Sequence, residues 1–529
     1  MNKIDETTIV DGKKSAAPST SKDERAISIL VLISRLTGFV RTSAQAYALG
    51  VTAVASCYSV ANNLPNMLYE LVIGGMIVTA FLPTYMAAKR DGGKDGASEY
   101  ASSLTMVVLV VTGIATALAM IFASQLIWTQ SFSAGKNLDS GLATWFFRFF
   151  ACEVMLYSLS SVLSGILNAE RDYIASSAAP IANNAVVTIG FVAYALLVHR
   201  SEFLALLCIA IASPLGVVIQ VVAQLPSLRK HGISLRHKPS WRGARMRETM
   251  ALGIPAFVVM IASFITASFQ QSASLAITPS GASVVYYARL WYTLPYAVFS
   301  VPITTTAFTE MSDAFVHGKR SDGNVMVGNG VARQLITMLP MTALLMAFAP
   351  YLSSILGLSG NGMRLVSEYV IGLAIALPLY AVGMFLQKAS SASGTASDFA
   401  IANAIGGAAQ CVMCMLVQGT GQLWLVGVST AVFFLVTDII AVILMARHGV
   451  AFSWRLTTKS CVAGLVIALA CFMASNGLTM ALTACIGTCS GVGILRAIVP
   501  CVIVGLPMLT ASLYGTSKAF SFLSKRTSA

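Results

Sequence analysis

Charge is scarce in this sequence. Only 10% of its 529 residues are Asp, Glu, Lys or Arg, against roughly 25% in an ordinary soluble domain. A chain so poor in charge cannot dress a water-facing surface of its own size, which excludes a soluble globular enzyme. Long polar stretches are missing too. No connection between apolar runs exceeds about twenty residues, too short for a soluble domain. There is no GxxxxGK[ST] phosphate loop, so the chain carries no such ATP-driven motor. There is no HExxH, and the five histidines (His199, His231, His237, His317, His448) fall in loops. No metal-ligand cluster and no nucleophile–base pair can be assembled from them, which argues against an enzyme, and no metal or other cofactor is expected. The ten cysteines sit mostly inside apolar runs. Cys411 and Cys414 form a CxxC within a predicted membrane helix and read as small packing residues. Cys485 and Cys489 flank an outer loop at a spacing open to a disulfide.

Apolar residues fill the chain instead. Hydrophobic residues make up 56% of it, and the mean hydropathy is +0.77. Runs of about 20 apolar residues, enough to cross a bilayer as helix, occur near 27–51, 54–87, 101–128, 143–168, 174–198, 203–228, 249–275, 284–310, 329–352, 365–388, 398–418, 423–446, 457–482 and 493–515. The expected fold is all-α and polytopic, with fourteen transmembrane helices. The second run is too long for one straight span and holds Leu64-Pro65-Asn66 and Gly74-Gly75, so a bend or break is expected there. With the N-terminus inside, 25 basic residues fall in inner segments and four in outer loops. That bias predicts a multi-pass protein of the cytoplasmic membrane with both termini in the cytoplasm. Because the net charge of +13 is spread over these loops, it marks topology rather than a nucleic-acid surface.

The halves of the chain resemble each other. Leu64-Pro65 with Thr79-Ala80-Phe81 is matched by Leu294-Pro295 with Thr306-Ala307-Phe308, and Ile181-Ala182-Asn183 by Ile401-Ala402-Asn403, at offsets of 220–230 residues. Two parallel six-helix lobes follow, an arrangement that transporters use with the substrate site between the repeats. The expected layout is a disordered cytoplasmic tail (1–24), an N-terminal lobe (25–230), a basic cytoplasmic linker (231–248), a C-terminal lobe (249–447), two accessory helices (448–516) and a short cytoplasmic tail (517–529).

Charges inside the apolar runs are the candidate site. In the first run, Ser34, Thr37, Gly38 and Gln45 share a helical face with Arg41, whereas Arg35 is turned away and nearer the cytoplasmic end, where it can snorkel. A guanidinium in hydrocarbon costs at least about 2.5–3.5 kcal/mol, so a cavity ligand or an acidic partner is expected; Glu70 and Glu153 are the candidate partners. In the eighth run Arg289, Thr293, Tyr296 and Ser300 form a second polar stripe, interrupted by Pro295 and Pro302; an aromatic anchor at the outer interface is the other reading of that stretch. If the two stripes meet, the cavity is cationic and suits an anion, because guanidinium forks match phosphate bidentately. Asp438, buried in the twelfth run, either holds a coupling cation or hydrogen-bonds its neighbours. Glu310 and Asp398 are expected solvated at cytoplasmic helix ends.

These residues also carry a resemblance. Ser34-Arg35-Leu36-Thr37-Gly38-Phe39-Val40-Arg41, Asn63-Leu64-Pro65-Asn66 with Phe81-Leu82-Pro83, Leu167-Asn168 through Pro180, and Tyr286-Tyr287 through Arg289-Leu290 are similar, in order, to signatures of the MurJ/MviN family. The resemblance implies a fourteen-helix member of the multidrug/oligosaccharidyl-lipid/polysaccharide exporter superfamily that moves lipid II, the undecaprenyl-diphosphate-linked peptidoglycan precursor, between leaflets for cell-wall synthesis. It implies that Arg35, Arg41 and Arg289 engage the diphosphate, that the last two helices form a groove for the lipid tail, and that membrane lipids and cell-wall synthesis proteins are partners. The chain departs from the pattern at Tyr69 and Glu70, where many members have two arginines, near Ser56, where they have an acid, and between Lys388 and Asp398. A cation-coupled drug or other polysaccharide-lipid exporter of the same superfamily is the rival expectation. A membrane-bound cell-wall polymerase or ligase and a non-transporting scaffold are more distant ones.

Overall fold

In hydrocarbon each backbone N–H and C=O has to find its partner within its own segment, so long apolar runs have little choice but helix. The computed structural model describes residues 21–74, 81–235, 244–486 and 493–528, and over them it contains helices and short connections without a strand. Residues 1–20, the middle of the basic linker, Thr79-Ala80 and Cys489 lie outside the described residues, as does the side chain of Cys485.

Helix α1 spans Ser21–Leu49. Gly50, in the left-handed region at φ 62°, reverses the chain, and the Thr52 hydroxyl caps α2 (Ala53–Tyr69) by accepting from Ala55 N at 3.1 Å. In the second run, where a bend or break is expected, α2 passes into a π turn at Glu70–Gly74; Gly75 lies outside the described residues, and α3 runs from Leu82 to Ile121. The expected connection between the second and third runs is a tight turn at Gly93 (φ 60°, ψ −143°), a conformation open to a residue without Cβ; it joins two helices within the range of α3 and brings Gly96 back against the Ala88 carbonyl. Helix α4 is Ala123–Thr129. The fourth run is not one helix but two, α5 (Ser140–Phe150, capped by Asp139) and α6 (Glu153–Ala169). Helices α7 (Tyr173–Leu197) and α8 (Glu202–Lys230) complete the first half.

The second half follows. Helix α9 is Ala244–Ile277, and α10 (Gly281–Pro295) passes through a π turn at Tyr296–Ser300 into α11 (Val301–Val316). Helices α12 (Arg320–Ile355), α13 (Gly360–Ser393), α14 (Ala396–Val417) and α15 (Leu423–Arg447) follow. Helix α16 (Trp454–Ile486) precedes α17 (Gly493–Pro500), a third π turn (Cys501–Gly505) and α18, which stays helical to Ser528 through the expected tail.

Ten of the described helices are long and apolar enough to cross a membrane. The four expected spans not among them are α1, α2 with its π turn, α9, and α10–α11; in the first three, some residues or side chains of the apolar run lie outside those described. These four spans carry Arg41, Asn62, Asn63, Asn66, Glu70, Gln270, Gln271 and Arg289.

Apolar packing gathers in two regions. One combines α2 to α8, around Tyr58, Phe146, Phe150 and Phe191 and around Phe81, Tyr85 and Leu104. The other combines α10 to α18, around Tyr287, Tyr369 and Leu377 and around Phe385 and Met445. Since lipid tails are as apolar as leucine, close backbone approach has to do much of the work of joining helices. Small residues allow it: a Cβ on Gly372 of α13 would lie 2.2 Å from the Trp424 carbonyl oxygen of α15, and one on Gly190 of α7 would lie 2.3 Å from the Ala212 Cβ of α8. Hydrogen bonds join the two regions at one end of the bundle. Ser133 N donates to Ser272 Oγ at 2.7 Å, Asn137 Nδ2 to the carbonyls of Leu275 and Ala276, and Tyr287 Oη to the Gly50 carbonyl at 3.1 Å.

Candidate cavity between the two halves

Where α2 faces α9 and α10, two adjoining cavities of about 260 and 290 Å³ share Asn63 and Arg289 in their walls. The first is lined by Thr42, Ser59, Gln271, Tyr286 and Thr293 as well. The second adds Asn66 and Glu70. Donor-bearing groups dominate the polar lining, and Glu70 is its one carboxylate.

Arg289 projects from α10 with its side chain exposed to the cavity, and its Nη2 donates to Gln270 Oε1 at 3.5 Å, a long bond that leaves most of the guanidinium unused. Arg41 stands one layer behind. Its Nη2 donates to the Tyr286 phenol at 3.2 Å, and Tyr286 itself lines the cavity, so Arg41 reaches the wall through a ring from the opposite half. Among the described residues neither arginine has a carboxylate within 4 Å. The expected salt bridges to Glu70 or Glu153 are therefore not formed, although Glu70 shares a cavity with Arg289 and the field of Arg41 reaches Glu153. Arg35 is exposed on the same helix, away from both cavities.

The other residues picked from the sequence are distributed differently. Thr37 donates to the Ser34 carbonyl at 2.9 Å and accepts from Asn184 Nδ2 at 3.2 Å, and Gly38 faces the same amide; this part of the α1 stripe faces α7. Gln45 is buried against α2, donating to Ser59 Oγ at 3.3 Å, so its contact with the cavity runs through Ser59. Tyr296 lies on the π turn and stacks on Tyr380 at 4.3 Å between centroids, while Ser300 is buried and its carbonyl accepts from Gln334. The wider turn at Tyr296–Ser300 shifts the phase of the helix, so Arg289 and Thr293 stay with the cavity while Tyr296 and Ser300 rotate into α12 and α13.

Glu153 is wholly buried at the start of α6, and neither carboxylate oxygen has a hydrogen-bond partner. Asp438 on α15 is likewise buried with both oxygens unpartnered, and a Cβ on Gly383 would lie 2.8 Å from its Oδ1. Asp398 departs from expectation: it is 8% exposed and pairs with His448 at 3.4 Å, whereas Glu310 is exposed. Sequence reasoning missed Asn63, Asn66 and Gln271. Asn63 and Asn66 flank the proline singled out for its bend, which was the available signal.

Outside the spans, a polar cluster ties α3, α6, α7 and α8. Lys89 Nζ lies 2.6 Å from Glu170 Oε2, Tyr85 donates to Glu170, and Asp172 accepts from Ser227 and from the Ala175 N–H and faces His231 at 3.0 Å. Burial alone would raise both carboxyls. The hydrogen bonds from Lys89 and Tyr85 at Glu170, and from Ser227, Ala175 and His231 at Asp172, outweigh it and hold both below the ordinary carboxylate range.

Two helical halves with a polar, cationic cavity between them are the architecture of a multi-helix membrane transporter. The fold is shared with a solved structure described as lipid II flippase MurJ, inward closed conformation (TM-score 0.71, 14% identity, covering 95% of this chain and 98% of that one), and with an inward-facing MATE family transporter (TM-score 0.63, 16% identity, 82% and 99%). In sequence, the family described as lipid II flippase MurJ matches residues 45–488, and the chain belongs to that family. Similar relatives include a probable lipid II flippase MurJ of Borreliella burgdorferi (24% identical, over 63% of this chain and 65% of the relative) and a lipid II flippase MurJ of Burkholderia cenocepacia (25%, over 68% and 69%). The alignments thus span about two thirds of those relatives' own length.

Proposed function

We propose that this protein carries lipid II from the inner to the outer leaflet of the cytoplasmic membrane by alternating access, supplying cell-wall synthesis. The observation that carries the reading is the Arg289 guanidinium, exposed in a largely donor-lined cavity between the halves, with Glu70 in the same cavity but, among the described residues, no carboxylate within 4 Å of it. A diphosphate suits that site, because charge-assisted bonds from a planar fork are short and strong. Asn63, Asn66 and Gln271 add neutral donors, and Arg41 adds positive charge from behind Tyr286. Arg35 lies nearer the cytoplasmic end, where it meets an arriving headgroup. The residues thus replace the double arginine of many relatives, absent here at Tyr69 and Glu70, with amides.

The undecaprenyl tail stays in lipid. An apolar groove of about 460 Å³, walled by Trp291, Leu294 and Val298 of α10 and its π turn, Leu344 and Phe348 of α12, and Leu506 and Leu509 of α18, suits an isoprenoid chain. The two six-helix lobes are 25–230 and 249–447, fourteen spans are crossed in all, and both termini face the cytoplasm. The lobes rock against each other. With no nucleotide loop in the chain, the drive is the membrane potential or an ion gradient; Glu153 and Asp438, buried and unpartnered, are the candidates for an ion or proton.

The test is complementation. A strain depleted of its lipid II flippase should grow when it expresses this chain and accumulate lipid II in the outer leaflet. Failure of a well-expressed, membrane-inserted protein to do either would remove the proposal in favour of another exported lipid or drug.

A further inference from the structure

A further cavity, of about 440 Å³, lies between α12 and α18 and is not part of the site between the halves. It contains a full positive charge. Arg333, exposed on α12, makes no hydrogen bond or ion pair among the described residues. Thr337, one turn further along the same helix, also lines it, and its hydroxyl is unbonded. From α18 come Ser517 and Ser521, again one turn apart, both exposed and both with free side-chain hydroxyls. Spacings of four residues on two facing helices turn one guanidinium and three hydroxyls onto a common space. No carboxylate lines it.

Depth identifies the environment. Helix α12 has 36 residues, about 54 Å at 1.5 Å per residue, well beyond a hydrocarbon core of about 30 Å. Counting about 20 residues back from Ile355 puts the edge of the core just past Arg333, so the guanidinium sits at headgroup level. The same count forward from Gly493 leaves Ser517 and Ser521 just outside the core on the same side. At its other end the cavity meets the apolar groove: Phe299 lines both, and Leu509 and Leu513 continue along α18 from one to the other. A polar, cationic head end running into an apolar trough has the chemistry of one kind of ligand, a lipid with a phosphate at its head.

We propose that this is a loading site for the polyprenyl diphosphate lipid, with the diphosphate on Arg333, Thr337, Ser517 and Ser521 and the isoprenoid chain in the groove. The groove is what favours that occupant over a bulk phospholipid: its wall of Trp291, Leu294 and Val298 is the back of the helix that presents Arg289 to the central cavity. A lipid held here is therefore one helix away from the site where transport begins. The inference rests on the proposed substrate, and its test separates the two.

The experiment places a photoreactive amino acid at Ser521 in the full chain, reconstituted in phosphatidylethanolamine/phosphatidylglycerol vesicles containing radiolabelled undecaprenyl diphosphate. A second sample carries the photoreactive group at Thr42, in the central cavity. Light should attach the radiolabel at position 521; Arg333→Gln should lower that yield at least fivefold, Arg333→Lys should restore much of it, and the yield at position 42 should change far less. Labelling of position 521 by phosphatidylglycerol alone, or a yield indifferent to Arg333→Gln, overturns the proposal. Loss of labelling at position 42 with position 521 intact would instead count against the central cavity. Arg333 touches no partner that its replacement would leave stranded, so the variant tests binding rather than folding.

Discussion

Single residues divide into those that touch the cavity and those that hold others in place. Arg289 is the direct contact. Its replacement by Ala should lower appearance of lipid II in the outer leaflet by at least tenfold in vesicles or spheroplasts while leaving expression unchanged, since the side chain is exposed and loosely tethered. Arg41→Ala should do the same, whereas Tyr286→Phe, which removes only the phenol bonded to Arg41, should cost a few-fold. Full activity in both alanine variants would dismiss the arginine mechanism. On the polar cluster outside the spans the sign of a pH effect can be worked out. The folded-state carboxyls of Glu170 and Asp172 titrate below their unfolded values, so they add stability above the unfolded pKa, near 4, and that contribution is lost as pH falls through the folded value. Thermal midpoints should hold between pH 7 and 5 and drop below about pH 4, and Glu170→Gln should flatten part of that drop. Arginines at 41 and 289 were legible in the sequence because charge in an apolar run has no local explanation. Thr37 and Gln45 were legible as a stripe, but a stripe says which residues share a face, not which neighbour the face meets; here it meets α7 and α2 as much as the cavity.

At the scale of the element, the breaks were easier to foresee than their form. Leu64-Pro65 and Leu294-Pro295 both precede a π turn, at Glu70–Gly74 and Tyr296–Ser300. Proline removes a ladder hydrogen bond and invites such a rearrangement, yet nothing in the residues fixes where the wider turn begins, and its phase shift carries Tyr296 away from Arg289. The break between α5 and α6 at Ala151-Cys152 has no proline or glycine to announce it. Helix pairing is more direct. Gly372 lies against the Trp424 carbonyl, and Gly427 across the same seam has the Leu373 amide 3.0 Å from where its Cβ would be. Backbone gives way less easily than side chain, so Gly372→Ala should destabilise the protein by about 1–3 kcal/mol, visible as a lower midpoint in thermal unfolding of the detergent-solubilised chain. An unchanged midpoint would mean that α13 and α15 part without loss.

For the molecule as a whole, the proposed function requires the halves to move against each other. The bridges from Ser133 to Ser272 and from Asn137 to Leu275 hold one end together. The 2.7 Å bond from Ser133 N to Ser272 Oγ limits the two Cα atoms to about 6.5 Å apart by ordinary bond lengths, within disulfide range. The pair Ser133→Cys with Ser272→Cys should therefore oxidise readily, stop transport, and recover it on reduction. Continued transport by the oxidised protein would show that this end does not open. The all-helical, many-span character could be read from the sequence. The conformation could not, because both ends of a rocking carrier draw on the same residues.

Unpaired arginines at the centre also make this an electrical device. The empty cavity is positive, and a bound diphosphate brings it toward neutrality. Under an inside-negative voltage, each elementary charge that crosses the full field gains about 2.3 kcal/mol per 100 mV. The loaded stroke then moves little net charge, whereas the bare cationic site is drawn inward on the return. On the proposed cycle the voltage therefore acts on the empty return, and collapsing it should slow turnover while leaving binding of the ligand intact.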